Sequence, residues 1–235
     1  FYTWQVGWMF NKVTLSNVFG VDQLRAFNEA LPFPFSKVEI ELMTPRVDPD
    51  LTFLTSITKL AITGSKWCTV TIPTSVVRLN FDPRKVTVLN TQQVTALSVI
   101  ERDYRVPLAP PPKLEKLSLS VDILSERMLP FGLDTLPTLS DLSLKMEFID
   151  QRFQFPTQIT SLNMTVFLDW LDLARLLPLT RLRKFEIGLY RDKYSLDLSG
   201  LTTLTWLETN YSPVSQLPTS LVECSVSLES DFDFS

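Results

Sequence analysis

The 235-residue chain predicts an α/β solenoid, a coil of short parallel strands joined by irregular arcs. Three observations predict it. A ten-residue phrase is written three times. Pairs of alternating apolar residues recur at a nearly fixed step. The longest steps carry apolar residues at three- and four-residue intervals, so a few arcs should contain short helices.

The phrases are "IPTSVVRLNF" (72–81), "FPTQITSLNM" (155–164) and "LPTSLVECSV" (217–226), aligned on their proline. The shared template is apolar-Pro-x-x-apolar-x-x-apolar-x-apolar. Looser copies are "FSKVEI" (35–40), "LTSITKLAI" (54–62), "VTALSV" (94–99), "PPKLEKLSL" (111–119), "LPTLSDLSL" (136–144), "LPLTRLRKFEI" (177–187) and "LTTLTWLET" (201–209). Their terminal pairs are Val38/Ile40, Leu60/Ile62, Leu79/Phe81, Leu97/Val99, Leu117/Leu119, Leu142/Leu144, Leu162/Met164, Phe185/Ile187, Leu207/Thr209 and Cys224/Val226. Successive first members lie 17 to 25 residues apart.

Alternation with period two places both members of a pair on one face of a strand. One such strand cannot bury that face alone. About ten of them, stacked at roughly 4.8 Å, make one parallel sheet over a continuous core. Proline lacks an N–H to donate, which suits the turn entering a strand.

A step of about 21 residues with an L-x-x-L-x-L core resembles the leucine-rich repeat over residues 35–228. The resemblance implies a horseshoe with the parallel sheet on its concave side and that sheet as the binding surface. One part of the family pattern is missing. The position usually given to asparagine or cysteine holds Ser65, Arg84, Arg102, Asp122, Glu147, Phe167, Tyr190, Ser212 and Glu229. Without an asparagine ladder, the convex arcs need not match one another.

Helical arcs are expected in "DILSERMLPFGLDTLP" (122–137) and "LDWLDLARLLP" (168–178), the second capped by Asp169 and stopped near Pro178. Residues 1–34 do not repeat. They hold Trp4, Trp8, Phe10, Phe19, Phe27 and Phe33, and "VDQLRAFNEAL" (21–31) has amphipathic spacing. An aromatic helical cap over the first open layer is expected there. The tail "LESDFDFS" (228–235) is acidic; Phe232 and Phe234 either fold over the last repeat or precede further chain. The organisation is therefore a cap (1–34), repeats (35–228) and a tail or the start of a further cap (229–235), in one domain.

Composition narrows the chemistry. The chain has no histidine, which removes Ser-His and Cys-His nucleophiles and His-ligated metals. Two cysteines cannot make a four-thiolate site, and six scattered glycines leave no phosphate-cradling loop. A net charge of −4 argues against a general nucleic-acid binder. No transmembrane run occurs. The carboxylate pairs Asp169/Asp172, Asp192/Asp197 and Glu147/Asp150 have no evident common cleft. The sequons at Asn163 and Asn210 do not establish secretion. The expectation is a non-catalytic chain without cofactor or metal.

The exposed strand positions carry the expected binding surface. Between each apolar pair stand Glu39, Ala61, Asn80, Ser98, Ser118, Ser143, Asn163, Glu186, Glu208 and Ser225. Just before each pair stand Lys37, Lys59, Arg78, Ala96, Lys116, Asp141, Ser161, Lys184, Trp206 and Glu223. Lys37, Lys59 and Arg78 form a run of cations. Glu39, Glu41 and Asp82 can neutralise it; otherwise it suits an acidic segment of a partner protein. Trp206 is either an interface anchor or a packing partner of Tyr211. The expected function is a protein-interaction module and scaffold; the alternative is a cell-surface or secreted protein recognising a glycan or a host partner.

Cys68 and Cys224 fall eight strand steps apart, on the order of 35–40 Å, far beyond disulfide reach. Two lone thiols suit a reducing compartment, so the cytoplasm is expected, with the cell surface or secretion as the alternative.

Overall fold

The structure is a computed structural model. It describes residues 4–7, 12–18, 22, 25–26, 29, 36–42, 48–64, 67–82, 85–100, 110–124, 133–149, 153–166, 173–189, 196–210 and 214–227. The chain forms a repeat-like parallel β-solenoid in two compact units, 1–114 and 115–235.

In the first unit the sheet strands are β1 (Trp4–Gly7), β2 (Lys12–Val18), β3 (Lys37–Leu42), β4 (Lys59–Gly64), β6 (Arg78–Phe81) and β8 (Ala96–Ile100), adjacent in that order. Strands β5 (Cys68–Thr71) and β7 (Val86–Leu89) form a separate parallel pair in the arcs. The second unit has β9 (Lys116–Leu124), β10 (Asp141–Ile149), β11 (Ser161–Val166), β12 (Lys184–Leu189), β14 (Trp206–Asn210) and β16 (Glu223–Ser227) in order. Its arcs contribute β13 (Leu196–Asp197) paired with β15 (Val214–Gln216).

Each predicted apolar pair falls within a strand, and neighbours align without slip. Val38, Leu60, Leu79 and Leu97 stand opposite one another across β3, β4, β6 and β8. Leu117, Leu142, Leu162, Phe185, Leu207 and Cys224 do so across the second unit. Period-two alternation pins this register, because a one-residue slip would turn every leucine outward. All of these are buried except Cys224. It is exposed, as is Val226, because β16 lies at the end of the strand order. The expectation of a core position for Cys224 is thereby corrected.

The repeated phrase now has a mechanical reading. Its proline opens a turn whose carbonyl accepts from the apolar residue three positions on: Val76 N–H to Pro73, Leu114 to Pro111, Ile159 to Pro156, Leu221 to Pro218. Leucine or threonine takes the same place in Leu139 to Leu136, Leu204 to Leu201 and Val94 to Thr91. The next two N–H groups then converge on one carbonyl of the preceding coil. Val77 and Arg78 donate to Thr58; Thr160 and Ser161 to Ser140; Thr205 and Trp206 to Arg183. Each coil thus delivers its strand to the ladder through the same turn.

The arcs correct the expected α/β horseshoe with short helices. Among the described residues the elements are strands and two one-turn 3-10 segments, Leu133–Thr135 and Leu173–Arg175, with no complete α-helix. The physical reason is spacing: a helix with its side chains is about 10 Å wide, whereas successive coils stack at about 4.8 Å. Extended arcs match that step, and β5–β7 and β13–β15 are the result. The bridge from Asp50 to Thr71 adds a further rung. Asp169 and the stretches 125–132 and 167–172 lie outside the described residues.

The helical cap is corrected as well. Residues 4–7 and 12–18 enter the sheet as strands: β1 runs antiparallel to β2, and β2 parallel to β3. A hairpin prolongs the ladder and pairs one edge of β3, which a helix laid over the end would not do. Of 21–31, only Asp22, Arg25, Ala26 and Glu29 are described; they have helical backbone and are exposed. The Arg25 guanidinium lies 5.3 Å from the Phe53 ring centroid. Trp8, Phe10, Phe19, Phe27 and Phe33 lie outside the described residues, as do Phe232 and Phe234.

Polar side chains replace the missing asparagine ladder from other positions. Gln93 Nε2 donates to the Pro73 carbonyl (3.0 Å), and Gln158 Nε2 to those of Leu136 (2.8 Å) and Leu133 (3.2 Å). Asn90, the single non-glycine residue of positive φ among those described, donates to Ile72 (2.9 Å). The Thr203 and Ser220 hydroxyls reach Leu182 (2.9 Å) and Leu204 (2.7 Å). All bind carbonyls of the preceding coil, and Gln93, Gln158, Thr203 and Ser220 all sit at the third position of the entry turn.

Candidate interaction surface on the parallel sheet

The candidate surface is the face of each sheet that alternates with the core. In the first unit Glu39, Ala61, Asn80 and Ser98 are in register, half-buried between the core positions of β3, β4, β6 and β8. In the second, Ser118, Ser143, Asn163, Glu186, Glu208 and Ser225 form the matching column. Serine and asparagine fill four of its six positions, and Glu186 and Glu208 the other two. Glu186 and Glu208 stand opposite each other on β12 and β14, a like-charge pair at the strand spacing.

The columns that precede the core pairs differ between the units. In the second, Lys116 Nζ lies 3.6 Å from Asp141 Oδ1, and Asp141 Oδ2 accepts from the Ser140 hydroxyl (2.7 Å). Lys184 Nζ sits 4.2 Å from the Trp206 ring centroid. A cation over an indole face is attracted by the ring quadrupole, so Trp206 is half-buried and covered on one face. Its expected alternative partner, Tyr211, lies outside the described residues.

In the first unit Lys37 Nζ lies 3.5 Å from Glu39 Oε1, with both groups substantially exposed. The exposed Lys59 and Arg78 have no ion-pair partner among the described residues. The β2–β3 register also places Lys12 opposite Lys37. Four cationic positions therefore succeed one another at Lys12, Lys37, Lys59 and Arg78. Sequence reasoning missed Lys12 because "KVTLSNV" (12–18) lies outside the repeats. Its alternation of apolar Val13 and Leu15 behind a lysine is the signal that could have found it.

Trp67 was also missed. It is exposed just ahead of β5, on the arc side, and sequence gave it no role.

Two carboxyls are held below their usual range by local turns. The Ser199 hydroxyl (2.6 Å) and N–H (3.0 Å) donate to Asp197, and the Thr52 N–H (3.0 Å) to Asp50. Both carboxyls are exposed and serve the arcs. Burial, aided by the charge of Asp48, pushes the Cys68 thiol up. Of the carboxylate pairs noted in sequence, Asp169, Asp172, Asp192 and Asp150 lie outside the described residues. Among the described residues no three Asp, Glu or Cys side chains converge as a metal cluster, and no helix is long and apolar enough to cross a membrane. No family model matches this chain, and neither a curated protein nor a solved structure matches it.

Proposed function

We propose that the chain is a protein-interaction module whose repeats are of leucine-rich type, their arcs extended rather than helical. Its partner docks on the outward face of the parallel sheet. The observation that carries this reading is the in-register column of short polar side chains, clearest at Ser118, Ser143 and Asn163. Such a column gives a flat floor on which neighbouring charged columns stand at fixed spacing. Recognition then works by rigid display, since each position is held by the ladder beneath it. The module is read as non-catalytic. Two cysteines, both free, favour a reducing compartment, and the cytoplasm is the proposed location.

Photo-crosslinking tests the reading. A photoreactive residue is placed at Ala61, Ser143 or Asn163 on the sheet face, and at Thr87 or Thr157 on the arcs. Adducts identified by mass spectrometry should come from the sheet positions. The same adduct arising mainly from the arc positions would overturn the assignment of the face.

A further inference from the structure

We infer that the cationic column of the first unit binds an extended acidic segment of a protein partner, a specialisation that rests on the sheet-face reading above. The three strand steps from β2 through β3 and β4 to β6 span about 14 Å. An extended peptide rises about 3.3 Å per residue, so carboxylates at i, i+2 and i+4 span about 13 Å. Three alternate carboxylates, about 6.6 Å apart, thus cover the span of the four cationic positions, about 4.8 Å apart, without matching them one to one; the long flexible lysine and arginine side chains take up the difference.

The electrostatics single out this column. In the second unit the two cations of the equivalent column are already engaged, Lys116 by Asp141 and Lys184 by Trp206. Lys59 and Arg78 stand opposite each other in register, exposed, without an ion-pair partner among the described residues. Like charges on adjacent strands repel. The core under them is supplied by Leu60, Ile62, Leu79 and Phe81, all buried, so folding does not need the two cations. An anionic partner relieves the repulsion.

The neighbouring column suits a peptide. Ala61 leaves space beside Lys59, and the half-buried Asn80, two residues beyond Arg78, offers an amide that can both donate and accept. A crosswise peptide has unpaired backbone groups that such an amide can serve. Lys37 is already paired with Glu39, so Lys59 and Arg78 make the principal contacts of the acidic run. A nucleic acid is the poorer fit, because the chain carries a net charge of −4 and pI of about 5.0.

The test uses fluorescence anisotropy with a labelled nine-residue peptide of alternating Glu and Ser. Comparison probes are the same peptide with Gln for Glu and a labelled oligothymidylate. The acidic peptide should bind, the Gln peptide at least about tenfold more weakly, and binding should fall as salt rises. Lys59→Glu with Arg78→Glu should abolish it. Arg181→Glu with Arg183→Glu, the same charge change on exposed residues of the second unit, should leave it intact. Equal binding of the Gln peptide, or full binding by the Lys59/Arg78 variant, overturns the proposal. Preferential binding of the oligothymidylate overturns it in favour of a nucleic acid. Sheet-face crosslinks without acidic-peptide binding would leave the interaction reading standing and remove only this one.

Discussion

Replacing Leu162 by alanine should be among the most damaging single changes in the second unit. Leu162 is 1% exposed in β11 and stands between Leu142 and Phe185, both fully buried. The change removes three carbons, at about 0.8 kcal/mol per buried methylene. Transfer alone therefore costs about 2 kcal/mol. The flanking strands are hydrogen-bonded on both sides, so their side chains cannot close the gap fully. The cavity contribution should raise the loss to about 3–4 kcal/mol, within the usual span of about 2–5 for Leu→Ala. Val226→Ala is the internal comparison, because Val226 takes the place in β16 that the buried Met164 takes in β11, two residues beyond Leu162, but is 54% exposed. It should cost less than about 1 kcal/mol. Urea denaturation followed by circular dichroism reads both, with the slope checked for constancy. A Leu162 loss below about 1 kcal/mol, or equal losses at the two sites, would refute the burial gradient derived from the strand order.

Native protein should show one fast-reacting thiol with a maleimide, Cys224, while Cys68 reacts only after unfolding, since it is buried and its thiol is pushed up. Two equally fast thiols, or none in the unfolded chain without reductant, would contradict this. Thr209 is fully buried in β14 and its hydroxyl has no hydrogen-bond partner among the described residues. Thr209→Val should therefore raise stability by about 1 kcal/mol, and a loss measured by thermal melting would show a hidden partner. Gln158→Ala removes two donations to the carbonyls of Leu133 and Leu136 and should cost about 1–2 kcal/mol. An unchanged urea midpoint would mean that those carbonyls are served by water.

Much of the ladder was legible in sequence. The pairs from Val38/Ile40 to Cys224/Val226 all lie in strands of the expected order, because period-two alternation beside a turn-forming phrase leaves one arrangement that buries every leucine. The columns at Lys37, Lys59, Arg78, Asn80, Ser118, Ser143 and Asn163 followed from the same register. Three things needed the tertiary structure. The arcs were read as helical from apolar spacing within a single segment, but the strand step of the neighbouring coils governs what fits there, and no one segment contains that step. Lys12 joined the cationic column only through pairing of β2 with β3, a contact between stretches that share no repeat. Finally, Leu162 and Cys224 hold equivalent places in the phrase, yet one is buried and the other exposed. Sequence determines which face of a strand is apolar; whether that face is covered depends on what lies beside the strand.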